Sequence, residues 1–502
     1  MPQIVRVLAA ALTAAFLWMC YTVSQMNALV VADEFQDTRK HHRKMAPNVL
    51  QGQFVALTLN APMPSKAASG LAVFADSTQK THILAVANFY GASTAYSIDT
   101  RRSGLAPSKL QEFNTKANHD FEVAHVRSSE GFALPLLISS EYDGDATLSY
   151  SLAGAASAAL PKLSGWPRCA DSDAAACASW AKGGECVKNP TFMMQSCPEA
   201  CGRCAAFSGP ITAVQSLPGL GGTSARHLKV AGHDLLLLAN YKEPSSRAVA
   251  AYAWHREASE WRLLTHIDAP GAGEFAHCRV ASTGEDLLVI STWFANGSFS
   301  ASSWVYEIVV AQDGGATGGI EFTRRQELPT HGSHDAECFT SPQSGQTILM
   351  LANGRRDDGT RDVDTAVYAY DHVKRSFTPL QSLPTVGAHD IELVAPPGDE
   401  TTALLAVVSN GASWKGGEEA CDNDVGVYRW HEPANEFKLF QRLDVGGCTT
   451  FARAWSTSAA AAAGREGDRG GRASRTLLAV AVERLRNGSY DADVAVFEWR
   501  SL

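Results

Sequence analysis

Along most of the chain, apolar positions fall in short runs separated by turns rich in Gly, Pro and Asp, which is the pattern of strands rather than of helices. One order of runs recurs. An outer strand carrying Gln-x-Leu leads through a short Gly turn to a strand that opens with acidic residues. A Leu-rich strand ending in Ala-Asn follows, then a variable loop and a Val-Tyr-x-Trp-like strand. Two copies show the order best. One has Gln326 and Leu328, then His334, Asp335 and Glu337, the Leu-rich run 348–353, and Val367-Tyr368-Ala369-Tyr370. The other has Gln381 and Leu383, then His389, Asp390 and Glu392, the run 404–410, and Val427-Tyr428-Arg429-Trp430. Counting the Leu-rich run gives seven copies, at 83–88, 134–139, 235–240, 287–292, 348–353, 404–410 and 477–482. Four short strands in each unit of about 50 residues predict an all-β fold, a seven-bladed β-propeller. The last copy stops at its third strand, 494–499, and the chain enters with an unpaired outer strand, 54–59. That strand can complete the last blade and leave no open edge.

Composition leaves this picture intact. The 502 residues are 45% hydrophobic and 19% charged, ample apolar material for a large core. The formal net charge is -9, and no Lys/Arg-rich face is interleaved with aromatics, which speaks against a nucleic-acid partner. The N-terminus adds something new. Residues 7–23 are almost wholly apolar, follow Arg6, and precede Ala28, Ala32, Asp33 and Glu34. They predict an N-terminal hydrophobic helix within 1–32, either a cleaved signal or a signal anchor, since the length does not decide between the two. Arg6 favours an N-in orientation, which places the chain after Asp33 outside the cytosol, secreted or as a single-pass membrane protein. Any membrane association is then confined to this segment. Residues 33–50, with Arg39, Lys40, Arg43 and Lys44, read as a solvated linker.

Six of the 11 cysteines, Cys169, Cys177, Cys186, Cys197, Cys201 and Cys204, crowd into one short window between propeller blades, which are otherwise expected over 51–160 and 210–502. So short a segment cannot bury enough apolar surface to hold itself, and the density suits an oxidising compartment. Cys201 and Cys204 form a C-x-x-C, but no second such pair or His pair lies nearby, so zinc is the weaker reading. Sequence alone leaves 15 pairings of six cysteines open. The companions of these cysteines are Trp180, Gly184-Glu185, Asn189-Pro190, Phe192-Met193, Pro198 and Gly202-Arg203. With them the window resembles the ShKT family, named for a sea-anemone potassium-channel toxin. The resemblance covers 169–204 and implies the pairs Cys169–Cys204, Cys177–Cys197 and Cys186–Cys201. Channel-blocking members place a Lys-Tyr pair where this chain has Thr191 and Phe192. The resemblance therefore implies a rigid recognition or spacer module and not a pore plug. The blade copies in turn resemble the EAR/EPTP repeat, whose seven-bladed propellers occur in secreted and cell-surface proteins. The match is clearest in the fifth and sixth copies and poorest in the first and seventh, where the stretch 459–472 reads as a flexible Ala/Gly/Arg-rich loop.

On a propeller, loops between second and third strands share a rim with the entries to the inner strands. Both Asn-Gly-Ser sequons, at Asn296 and Asn487, fall in that loop class and are candidate glycosylation sites. Cys421 lies in such a loop and Cys448 begins the next inner strand, which predicts a Cys421–Cys448 disulfide. Cys278 and Cys338 are read as buried free thiols at equivalent positions of adjacent inner strands. The small module enters after the third strand of blade 2 and leaves before its outer strand, on the opposite rim. His-Asp-x-Glu occurs three times, at His119-Asp120, His334-Asp335 and His389-Asp390 with Glu122, Glu337 and Glu392, and alternation points each Asp and Glu to one face. One reading places a Ca²⁺ at the channel mouth, held by Asp120, Asp335 or Asp390. The favoured reading has these acids hydrogen-bond neighbouring blades, with no cofactor. The acidic loop 357–362 lacks EF-hand length and reads as solvated. No G-x-S-x-G, H-E-x-x-H or phosphate loop is present. The expectation is an extracellular or cell-surface recognition protein with no catalytic residues, binding an extracellular protein or glycan through loop aromatics such as Trp293 and Trp414. A secreted polysaccharide- or peptide-degrading hydrolase is the alternative.

Overall fold

The computed structural model describes residues 52–501 apart from 76–80, 100–104, 130–132, 145, 153–172, 189–192, 194–196, 198–199, 201–210, 312–318, 342, 397–403, 416–417, 422 and 458–474. The N-terminal helix and linker and the loop at 459–472 therefore lie outside the described residues. Among the described residues no helix is long and apolar enough to cross a membrane.

Seven four-stranded antiparallel sheets form a seven-bladed propeller. From inner to outer strand, blade 1 is Ala68–Ala75, Thr81–Asn88, Ser93–Asp99 and Pro107–Phe113, and blade 2 is Asn118–Arg127, Ala133–Glu141, Ala146–Ser151 and Thr212–Pro218. Blade 3 is Gly222–Val230, His233–Asn240, Val249–His255 and Glu260–Ile267, and blade 4 is Ala272–Arg279, Asp286–Thr292, Ser302–Val310 and Ile320–Pro329. Blade 5 is Ser333–Thr340, Thr347–Asn353, Thr365–Asp371 and Ser376–Leu383, and blade 6 is Ala388–Val394, Leu405–Asn410, Val425–His431 and Glu436–Leu443. Blade 7 takes Gly447–Thr457, Arg475–Leu485 and Ala495–Ser501 from the C-terminal part and Gly52–Ala56 from the N-terminal part, with Phe54 opposite Trp499. The ring thus closes as expected, on a strand starting slightly earlier than 54–59.

The Leu-rich runs are the second strands, buried on both faces, which is why they read as unbroken apolar stretches and not as alternating ones. Their side chains fill the spaces between blades. Leu237, Leu288 and Ile290 share one cluster across blades 3 and 4, and Leu349, Leu351 and Val289 share the next. Each such fully buried side chain contributes about 1.5–3 kcal/mol of transfer free energy.

The glutamine of Gln-x-Leu has a structural role that periodicity does not reveal. Gln381 accepts the N–H of Phe437 and donates to its carbonyl, both at 2.8 Å, joining the outer strands of blades 5 and 6. Gln326 clasps Phe377 in the same way, Gln215 clasps Trp261, Gln111 clasps Ile211 and Gln441 clasps Phe54. A β-bulge precedes each glutamine: the register skips Leu380, Arg325, Val214, Leu110 and Phe440. Such bulges re-aim the side chain that follows.

The inserted module contains a helix, Ala174–Lys182, N-capped by Asp173, whose carboxylate accepts the N–H groups of Ala175 and Ala176 at 3.0 Å. A shorter helix spans Glu185–Lys188. The Cys177–Cys197 disulfide packs with buried Met193, and is the pairing that the resemblance implies. Cys169, Cys201, Cys204 and the side chain of Cys186 lie outside what is described.

Candidate functional site

Two features could do chemistry or recognition: the channel along the propeller axis and the rim at which the inner strands begin. In the channel, the repeated His-Asp-x-Glu places carboxylates beside the next blade. Asp335 accepts the Ile391 N–H and Asp390 the Ala452 N–H, each at 2.8 Å, while Asp120 faces the Ala225 N–H at 3.5 Å. Two residues on, Glu122 accepts the His227 N–H at 3.0 Å and Glu392 the Ala454 N–H at 2.8 Å. These acids hold one inner strand to the next. Two arginines answer their charge: Arg226 of blade 3 reaches Glu337 of blade 5 at 3.0 Å, and Arg453 of blade 7 reaches Glu392 at 3.3 Å.

Carboxylates outnumber these arginines. Burial, and then the Glu122 charge, push the Asp120 carboxyl up to about 7; burial and Glu337 do the same for Asp335. Asp390 and Glu274 are held well above the ordinary carboxylate range, first by burial and then by neighbouring acids. Among the described residues no group of three or more His, Cys, Asp or Glu is arranged to hold a metal ion. Asp120, Asp335 and Asp390 instead lie on three different inner strands, each engaged with the following blade.

Above the acids, the histidines crowd the mouth. The rings of His334 and His389 stack with centroids 3.7 Å apart, and Trp293 lies 3.8 Å from His334. Gly354 and Gly411 make room for them, since a Cβ at Gly354 would come within 2.8 Å of the His334 ring and one at Gly411 within 3.0 Å of the His389 ring. Burial lowers all three histidines, His119 to about 4 and His389 to about 3, so they are neutral at physiological pH.

The rim outside them repeats a single hydrogen bond. The first residue after the second strand donates its N–H to the residue before the inner strand of its own blade: Phe89 to Ala67, Tyr142 to Ala117, Tyr241 to Gly221 and Trp293 to Gly271. Gly354 and Gly411 do the same to Gly332 and Gly387, and Arg486 to Gly446. Blades 1 to 4 thus carry an aromatic at one structural position. Their rings form an arc: Tyr490 meets Tyr90 at 5.3 Å, Tyr90 meets Phe89 at 5.3 Å, and Tyr142 lies 6.0 Å from both Phe89 and Tyr241. Tyr90 and Tyr490 are 50% and 39% exposed, so the arc faces solvent at that end. Lys242 sits 4.0 Å above the Tyr142 ring, and Arg355 lies 4.8 Å from the Phe299 ring. Trp293, expected as an exposed loop aromatic, is half-buried against His334 and Phe299. The Trp414 side chain lies outside the described residues.

Asn296 and Asn487 are exposed in the second-to-third loops of blades 4 and 7, Asn296 with a φ of 53°. Cys421 and Cys448 form the expected disulfide, with Cα atoms 4.6 Å apart. The loop 357–362 is less free than expected: Asp357 accepts the Phe299 N–H at 2.6 Å and the Ser298 hydroxyl at 2.8 Å, tying blade 5 to blade 4. The reading of Cys278 and Cys338 as free thiols is corrected, because they are joined in a disulfide with Cα atoms 5.4 Å apart. They are not equivalent positions. Both inner strands carry one extra residue near their start, but Cys278 stands six residues after Ala272, opposite Leu287, whereas Cys338 stands five after Ser333, opposite Leu349. That one-position difference puts the two cysteines on opposite faces of their strands and points Cys278 toward blade 5, where it packs with Ala336 and Leu349. The two sulfurs then face each other across the junction.

The fold and the module define the class: a seven-bladed propeller carrying an inserted ShK domain-like module, whose family model matches residues 168–204. Curated relatives of the chain include EAR repeat-containing proteins. The chain is 31% identical over 96 residues to the human thrombospondin-type laminin G domain and EAR repeat-containing protein, and 32% identical over 94 residues to the mouse protein of that name. These matches cover 19% of this chain and only 14% and 13% of the relatives. Similar solved structures include a putative 6-phosphogluconolactonase from Bacteroides fragilis, at 11% identity and a TM-score of 0.43, covering 80% of this chain and 98% of that one. Another is Saccharomyces cerevisiae Sqt1, at 8% identity and a TM-score of 0.42, covering 90% and 99%.

Proposed function

We propose that the chain is an extracytoplasmic recognition protein whose binding face is the rim formed by the second-to-third loops. One observation carries this reading: equivalent positions of four successive blades hold Phe89, Tyr142, Tyr241 and Trp293, and the first three continue through exposed Tyr90 and Tyr490 as one arc of ring contacts. Tyr, Trp and Arg are the residue types that dominate binding energy at protein surfaces. Among the described residues, one disulfide in the module and two in the propeller support an oxidising compartment. The partner class is an extracellular protein or a glycan, and the module supplies a second small surface on a connection of the other rim.

The hydrolase alternative draws less support from the channel, since Asp335, Asp390 and Glu392 already hold adjacent strands. The test is to secrete the full chain and probe it against arrayed ectodomains and glycans, with turnover of polysaccharides and peptides measured in parallel. Saturable binding without turnover is expected. Turnover that disappears in Asp335→Asn would replace recognition with catalysis.

A further inference from the structure

The glutamine clasps described above close five blade junctions, and the two remaining junctions differ from each other. Between blades 7 and 1 the residue that a clasp would grip is Pro107, four before Gln111, and proline has no N–H to give. Between blades 3 and 4 the gripped position is Phe322, four before Gln326, which has both groups. The outer strand of blade 3 even keeps the bulge, skipping Leu264. The residue that follows it is Thr265, where five other blades have glutamine. Its hydroxyl is too short to cross and donates to the adjacent His266 carbonyl at 3.3 Å. A cleft of about 500 Å³ opens there, lined by Thr265, His266, Tyr306, Ile320, Phe322 and Arg324. That volume lies within the range of small ligand sites.

We propose that this cleft docks the glutamine side chain of an extended peptide segment on a partner protein, which supplies in trans the clasp that Thr265 omits. Five copies within the same fold define the chemistry: a primary carboxamide that accepts the N–H and donates to the carbonyl of one outer-strand residue. The carboxylate of glutamate lacks the donor, and a hydroxyl lacks the reach. Ile320 and Phe322 provide apolar wall for the methylene stem. The site is on the outer strands, so it stands whether or not the rim is the recognition face.

The test selects short random displayed peptides on the full chain. Enrichment of glutamine at one fixed position is expected. Affinity of the selected peptide, read by fluorescence polarisation, should then fall by about tenfold or more when its glutamine is changed to glutamate, and likewise when the protein carries Thr265→Gln, which fills the cleft from within. Thr265→Ser should bind as the parent does. A melting curve checks that Thr265→Gln is folded; if it is not, the peptide exchange decides alone. Absence of glutamine enrichment, or a binder indifferent to either exchange in folded protein, overturns the proposal.

Discussion

The carboxamide of Gln381 grips Phe437 of the next blade through both its backbone groups at 2.8 Å, a side chain acting as a rung between the outer strands of two sheets. The neighbouring outer strands are thereby fixed where no backbone ladder runs between them, and the rim loops carried by those blades are held in register.

Replacing Gln381 by Ala leaves the N–H and carbonyl of Phe437 without their partner and should cost about 1–3 kcal/mol, read as a lower urea midpoint. Gln381→Glu, which keeps the acceptor, should lie between the two. Thr265→Ala, which breaks no clasp, should be near neutral.

Cys278 and Cys338 bridge blades 4 and 5 over a separation of 60 residues. Cys278→Ser should lower stability by about 2–4 kcal/mol and free one thiol for alkylation, detected by mass under non-reducing conditions. A parent chain that alkylates at both positions without reduction would show that the bond is not formed.

His119 and His389 are depressed by burial, to about 4 and about 3, so the native state resists their protonation. Their contribution to stability is complete above about pH 6.5 and is lost as pH falls below it toward the folded-state values. Asp120 and Asp335, raised to about 7, act in the opposite sense: their contribution is present below about pH 4 and is lost as pH rises through 7. The channel should therefore be most stable at mildly acidic pH. In thermal melts from pH 8 to 4, His389→Gln should flatten the acid limb and Asp335→Asn the alkaline one.

Much of this was legible because the repeat writes each blade in the same alphabet. The seven Leu-rich runs, the closing strand at Phe54, the place of the insertion and the Cys421–Cys448 pair all follow from counting strands and assigning loops to rims. What escaped was set by register. Cys278 and Cys338 look equivalent until the strand starts are aligned, which shows Cys278 one position further along and so on the opposite face; a one-residue slip of this kind flips a side chain to the other side of its strand. The Gln of Gln-x-Leu was visible as a pattern, but its partners are 46 to 387 residues away in sequence. The aromatic arc was missed for a related reason. Phe89, Tyr142 and Tyr241 sit just beyond the strands used to define the repeat, and only a shared hydrogen bond shows that they occupy one position.

Recognition by the rim is tested most directly by comparing the secreted full chain with its Tyr142→Ala/Tyr241→Ala variant on the same arrays of ectodomains and glycans. The partners bound by the parent should be lost or weakened by about tenfold or more in the variant, with an unchanged melting temperature, as truncation of central aromatic anchors requires. Retention of every partner by a folded variant would contradict the rim as the recognition face.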